Sequence, residues 1–600
     1  MEIYDNLTIE LAGHNLIEAS AGTGKTYAIA CLFLRLVVEQ GLLPENLLVV
    51  TFTEAATKEL RSRIRERLRI GRDFLCGCGA EDDFSAALLA GANPWWPGRE
   101  KAIERLDLAL HTFDCASIST IHGFCSRALQ ENAFETGSLY DTELVTDQNP
   151  LIQEIVADFW RSNFFGEEAP LLAAVLRKKW FLDDMARFLR GKLANPDLSV
   201  MPLYDQDQVE QMSRNCRSSF DLLVTLWQQS RPELEEIFAS HKGLSRAKDR
   251  YRADSVPGLL AAMDGYLAAG NPFGLFEGIE KFSTAFLARQ ALKRDVPPCH
   301  EFFDRCGELL DLVEMRFIAL KGSLFLFARE RLSRLKAERN IRFYDDLLTD
   351  LYCALQGPSG SDLAARLRER YRAALIDEFQ DTDPVQYRIF RRIFAAGAGP
   401  LFLIGDPKQA IYSFRGADIF AYLEARADVP EKNRFTMDRN WRSAPEMVDA
   451  LNILFRQQKK RPFLFPAIGY PGVEAARDKR PLVVEGRDPS PLQVWFLGRN
   501  EEDGKVIAIG TAKERIVRVL AAEISGLLAD GRNKRALLDG RGVLPEDIAV
   551  IVRSHDQAAL VQEALRVQNI PSVVQSTVSL FTTREAREVH RVLEAVAEPS

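Results

Sequence analysis

The stretch IEASAGTGKTYAIA, residues 17–30, restricts the fold of this chain more than any other. It reads as the end of a strand, a glycine-bearing turn, a lysine and a threonine, then a helix. In a phosphate-binding loop of this order, backbone N–H groups turn inward and the helix points its positive end at the anion. The helical segment YAIACLFLRLVVE is apolar nearly all round, as expected for a helix packed on a sheet. An α/β fold follows. The usual spacing G-x-x-x-x-G-K-[ST] is met except at its first position, where Ala19 stands. Alanine is the smallest side chain after glycine, so it fits there if its φ is negative. Residues Ala19, Ser20, Ala21, Gly22, Thr23, Gly24, Lys25 and Thr26 therefore form a candidate phosphate cradle. Gly22 and Gly24 allow close backbone approach, Lys25 reaches the β- and γ-phosphates, and the Thr26 hydroxyl holds Mg²⁺.

A second stretch, AALIDEFQDTDP, puts Asp377 and Glu378 at the end of an apolar strand. Such a pair serves a nucleotide-bound Mg²⁺ and a water together: Asp377 would hold the metal and Glu378 would accept the proton of the attacking water. Gln380, two residues on, is a candidate for relaying the state of the site. In a third stretch, LIGDPKQAIYSFRGAD, a strand ends at Gly405–Asp406 and Gln409 follows. Gln409 could touch a γ-phosphate or orient water. Tyr412, Phe414 and Arg415 lie just beyond, a set suited either to stacking on bases, with a cation–π contribution, or to a core.

The 600 residues are 46% hydrophobic and 27% charged, enough for several buried cores. No apolar run is long enough for a membrane span, and the first residues lack a basic segment followed by an apolar core. Nine scattered cysteines, with only Cys76 and Cys78 close together, suit free thiols in a reducing cytoplasm rather than a zinc site. The net charge of −8 argues against coating nucleic acid by bulk charge but leaves room for a locally basic channel. The basic run KELRSRIRERLR (58–69) reads equally as a solvated helical face or as a DNA flank; RAKDRYR (246–252) reads better as a solvated face. Strand–helix alternation over 1–145 gives way to a mainly helical, aromatic-rich region and returns at 373–379 and 401–406. Further strands are expected at LQVWFL (492–497) and EDIAVIVRS (546–554). The pattern is that of two α/β domains, the first interrupted.

The stretches LIEASAGTGKT, LLVVTFTEAATKELRSRI, STIHGFC, IDEFQDTDPVQYRIFRRIF, LIGDPKQAIYSFRGADIF and NWRSAPEMV, in that order, resemble the UvrD/Rep-like superfamily 1 DNA helicases. Within that family they are most similar to the RecB-like branch of exodeoxyribonuclease V subunits, whose loop also begins Ala-Ser-Ala-Gly. The resemblance implies RecA-like parallel-sheet motor domains. The expected boundaries are a first motor domain over 1–145 and 336–435, a helical insert over 146–335, and part of a second motor domain over 436–600. It implies an ATP-dependent, 3′→5′ motor using Mg²⁺, acting on single-stranded and duplex DNA ends in break repair and recombination with RecC- and RecD-like subunits. It further implies that Arg442 in NWRS approaches the γ-phosphate opposite Gln409. Phe52, Thr53, Thr120 and His122 would lie on the DNA path with Tyr412, Phe414 and Arg415, and Phe343 and Asp345 near it. Phe414 replaces the tryptophan common in the wider family and keeps a stacking face.

Later motifs of that family, TIHKSKGLE-like and LLYVALTRA-like, and its nuclease domain are not found in the sequence. The expectation is therefore an amino-terminal half that binds nucleotide but turns it over poorly alone. An AddA-type subunit, or a nucleotide-regulated DNA-binding protein without motor activity, remains the alternative.

Overall fold

The computed structural model describes residues 1–79, 82–89, 96–136, 142–165, 170–193, 198–246, 251–290, 296–394, 399–412, 418–456, 462–463, 465–476, 482–486, 490–500, 504–574 and 580–598. Phe414 and Arg415 lie outside the described residues, as does most of RAKDRYR. The chain divides into two compact units: Met1–Ile118 with Arg372–Asp383 and Gly399–Ser600, and Ser119–Tyr371 with Pro384–Ala398.

In chain order the strands used below are β1 (Glu2–Ile3), β2 (His14–Ala19), β3 (Leu47–Thr51), β4 (Ser117–Thr120), β5 (Glu143–Val145), β6 (Ile341–Phe343), β7 (Ala373–Ile376), β8 (Leu401–Gly405) and β9 (Arg434–Met437). The first unit is built on a seven-stranded sheet of order β1-β9-β2-β8-β7-β3-β4. Pairings from β1 through to β3 are parallel. Strands β3, β7 and β8 are buried along their whole length, as expected where helices cover both faces of a parallel sheet. Helix α1 (Lys25–Gln40) is buried without interruption from Ala28 to Val38, which is why its sequence lacks a polar stripe. Helix α2 (Glu54–Leu75) starts on the Thr53 hydroxyl, which accepts from the Ala56 N–H at 3.1 Å, and buries Leu60, Ile64 and Leu68.

The register brings the carboxyl ends of the strands together. Ile376 pairs with Val50 and with Leu403, Gly405 with Glu18, and Ala19 with Met437. Loops 20–24, 52–53, 377–381, 406–412 and 438–443 thus leave the sheet at one edge, where α/β proteins bind ligands.

The stretches 492–497 and 546–554, expected as strands, are not strands. Residues 492–497 are irregular and exposed, with Val494 83% and Phe496 92% accessible, and Ile551 is 95% accessible. A strand needs a hydrogen-bonded neighbour, and among the described residues neither segment has one. This part of the unit instead carries helices Pro445–Arg456, Ile509–Arg532, His555–Val567 and Arg584–Ala597, and a small sheet pairing Leu482–Val484, Ala536–Leu538 and Arg541–Gly542.

The second unit is mainly helical. Its core includes Phe220, Trp227 and Phe238 from helix Gln206–Ser240, and Phe302, Phe303 and Phe317 from helix Glu301–Arg339. Strands β5 and β6 form a short parallel pair.

Candidate nucleotide and nucleic-acid site

The glycine loop takes the conformation that its sequence demands. Gly22 and Gly24 have φ of 79° and 93°, in the left-handed region that favours glycine. Ala19, the last residue of β2, is fully buried and has no positive φ, so the missing glycine costs nothing there. Thr23 closes the turn, its hydroxyl donating to the Ser20 carbonyl at 2.7 Å. Lys25 is the first residue of α1.

Asp377 and Glu378 leave the end of β7 in different ways. The Asp377 N–H bonds the Val50 carbonyl at 2.8 Å, continuing the ladder and keeping the side chain buried. Glu378 then adopts φ 48°, ψ 43°, a left-handed conformation that costs a non-glycine residue of order 1 kcal/mol and clusters at functional sites. Its Oε2 lies 2.5 Å from Lys25 Nζ, so residues 353 apart in sequence form an ion pair. Burial, reinforced by the Glu378 charge and opposed by Lys25, raises the Asp377 carboxyl from its ordinary 3.8 to about 6. Asp377 Oδ1 and the buried hydroxyl of Thr51 beside it lack well-formed hydrogen bonds. An orphaned carboxylate oxygen near a threonine hydroxyl is a hard-oxygen donor set that fits Mg²⁺ held partly by phosphate. No group of three or more His, Cys, Asp or Glu forms an all-protein metal cage among the described residues.

The third loop is tied to the same place. The Gln380 amide donates to Glu378 Oε2 at 2.7 Å and accepts from the Asp406 N–H at 2.8 Å. Asp406 accepts from Gln409 Nε2 and from Lys408 Nζ, both at 2.7 Å. Arg442, in the fourth loop, is exposed. Its backbone is set by Asn440, whose amide donates to the Ala21 carbonyl at 2.9 Å and accepts from the N–H groups of Arg442 and Ser443. The Trp441 N–H bonds the Gly22 carbonyl at 2.8 Å. A Cβ on Gly22 would fall 2.8 Å from that of Arg442.

The Phe52 and Tyr412 rings lie 5.4 Å apart at 31°, so these two members of the aromatic set meet at the sheet edge. Thr53 is exposed and also caps α2. In the helical unit Thr120 caps the helix Ile121–Glu131, and His122 packs edge-on against Tyr344 at 6.2 Å. Burial pulls the His122 pKa below its ordinary 6.5, against the nearby Asp345 charge. Phe343 is a correction: it is 2% accessible, so its ring has no free face. The neighbouring Tyr344, 46% accessible, is the exposed aromatic there. The sequence also hides the parts played by Asn440, Thr51 and Asp381. All three stand inside quoted motifs, but nothing in their local sequence says what they touch.

A parallel sheet, a glycine loop running into a lysine-headed helix and a carboxylate pair on a neighbouring strand define an α/β protein of the phosphate-loop class. The chain belongs, more narrowly, to the UvrD-like helicases. The UvrD/REP helicase N-terminal domain matches residues 4–430 and the UvrD-like helicase C-terminal domain matches residues 435–600. It is similar to the RecBCD enzyme subunit RecB of Escherichia coli (strain K12), with 37% identity over 100% of this chain and 51% of that protein. The RecB subunit of Haemophilus influenzae is 30% identical, covering 98% and 51%. That of Mycolicibacterium smegmatis is 30% identical, covering 97% and 42%. The chain spans about half the length of the curated relatives it matches.

Proposed function

We propose that this chain is the ATP-driven motor portion of a RecBCD-type helicase–nuclease that acts at DNA ends in break repair and recombination. The observation that carries the reading is the meeting of Lys25, Glu378 and the orphaned Asp377 carboxylate at the end of one parallel sheet. Phosphates entering the 19–26 loop would compete with Glu378 for the Lys25 ammonium, so substrate arrival releases the carboxylate to take a proton from water. Thr26 and Asp377 would hold Mg²⁺, which neutralises charge developing on the phosphates. Gln409 and Arg442 would approach the γ-phosphate from the third and fourth loops. Phe52, Thr53 and Tyr412, with Phe414 and Arg415, would contact single-stranded DNA, as would Thr120 and His122.

The domain reading of 1–145 and 336–435 as one motor domain, 146–335 as an insert and 436–600 as part of a second belongs to this proposal. So do 3′→5′ polarity, a cytoplasmic location and RecC- and RecD-like partners. No helix among the described residues is long and apolar enough to cross a membrane. A reading as a nucleotide-regulated DNA-binding protein without motor activity draws on one observation, the unpaired, exposed segment at 492–497. ATP turnover with and without single-stranded DNA, with Lys25→Ala as control, separates the two. DNA-stimulated turnover lost in Lys25→Ala supports the motor. Salt-dependent DNA binding without turnover supports the alternative. Nucleotide binding unchanged in Lys25→Ala would remove the phosphate-loop assignment.

A further inference from the structure

We propose that Gln380 is a positioning residue: an amide with two alternative carboxylate acceptors that ties Glu378 to the loop bearing Gln409 and Tyr412, so that the nucleotide and DNA sites sense each other. The inference rests on the nucleotide-site reading above and adds the element that couples it. Gln380 is 2% accessible, and both ends of its amide are committed. Nε2 faces Glu378 Oε2 at 2.7 Å; Oε1 faces the Asp406 N–H at 2.8 Å. The reverse orientation would set a carbonyl against a carboxylate and an NH₂ against an N–H, so the amide has one sense only. The path then runs through the Asp406 carboxylate to Gln409 Nε2, and three residues further to Tyr412, whose ring meets Phe52.

Two features separate this from a glutamine that fills a hole. The first is a second acceptor. Asp381 Oδ2 lies 3.4 Å from the same Nε2, at the outer edge of hydrogen bonding, and Asp381 Oδ1 is buried without a partner. When Glu378 turns toward water and phosphate, the amide can pass to Asp381 rather than be left unsatisfied, and Oε1 must then shift against Asp406. That is a discrete two-position element of the kind that coupling between sites requires. The second is Gly405, the last residue of β8. A Cβ there would stand 2.6 Å from Gln380 Oε1 and 3.1 Å from the backbone nitrogens of Phe379 and Gln380. The strand makes room for this amide at the point where it crosses.

The test is the affinity of a fluorescent, non-hydrolysable ATP analogue with Mg²⁺, measured with and without an oligo-dT strand on the full chain. The ratio of the two affinities is the coupling. We expect a ratio of about fivefold or more in the natural chain, and a ratio near one in Gln380→Met and Gly405→Ala, with DNA-free nucleotide affinity held within about threefold. Gln380→Leu, which keeps much of the bulk, adds no charge and removes both amide bonds, should behave alike and serves if either of the others fails to fold. Coupling that survives in the folded variants overturns the inference and leaves the nucleotide site standing. So does a natural chain with no coupling. Loss of nucleotide affinity together with coupling in a folded variant shows mere structural support and also overturns it. Failure of the natural chain to bind nucleotide removes the site reading itself.

Discussion

Replacing Asp377 by asparagine should stabilise the chain when no metal is present and abolish its stabilisation by Mg²⁺ and nucleotide. The two effects have opposite signs and one cause. The carboxyl titrates near 3.8 in an unfolded chain and at about 6 in the fold, because burial and the Glu378 charge disfavour its ionised form. Above pH 6 both states are ionised and the fold bears the whole penalty. Below pH 3.8 both are protonated and the penalty is gone. This group therefore makes the metal-free chain more stable as pH falls from 6 toward 4. A difference of roughly two pH units is worth about 3 kcal/mol at pH 8. Asparagine keeps the shape and removes the charge, so metal-free Asp377→Asn should gain up to about 3 kcal/mol, seen as a rise of several degrees in Tm that vanishes near pH 4. Saturating Mg²⁺ and an ATP analogue should stabilise the natural chain by about 3 kcal/mol at a hundredfold excess over Kd. The magnesium-dependent part should be missing in the variant. Thermal melts at pH 8 and pH 4, with and without each ligand, read both. A metal-free variant that melts lower than the natural chain would show that Asp377 is satisfied in place, and an unchanged magnesium increment would remove it as a ligand.

Gly22→Ala should weaken nucleotide binding and disorder the 438–443 loop, because it strains a φ of 79° and drives a Cβ to within 3.0 Å of Arg442 and Asn440; a crystal structure with both loops unmoved would contradict this. Tyr412→Ala should weaken single-strand binding by about 1–3 kcal/mol without changing its salt slope, whereas loss of a phosphate contact would flatten that slope; fluorescence anisotropy at several salt concentrations distinguishes the two. ATP turnover by the chain alone should be slow even with DNA, since hydrophobic segments such as 492–497 are unpaired and exposed and the parallel pairing described beyond residue 438 is limited to Arg439–Asn440 with Glu474–Ala475; turnover at the rate of an intact motor would refute it.

The sequence by itself settled what is local. A glycine loop needing positive φ, a helix with no polar stripe and a buried run ending in Asp-Glu can be read from residue types, because each is dictated by short-range sterics or by solvent. Two local readings misled. The apolar runs at 492–497 and 546–554 favour strands, but propensity supplies no partner to bond. In RFYDDLL the aromatic singled out is buried, while the next residue faces solvent. The tertiary structure decided the rest through register. With Val50 opposite Ile376 and Ile376 opposite Leu403, Glu378 comes to Lys25 and the Gln380 amide comes to Asp406. A register slip of one residue would shift the loops that carry these side chains by about 3 Å against one another and break both contacts. Hydrogen bonds spanning hundreds of residues leave no trace in local composition. The chemistry was therefore written in the motifs, and the connections between them were fixed only when the parallel strands were laid side by side.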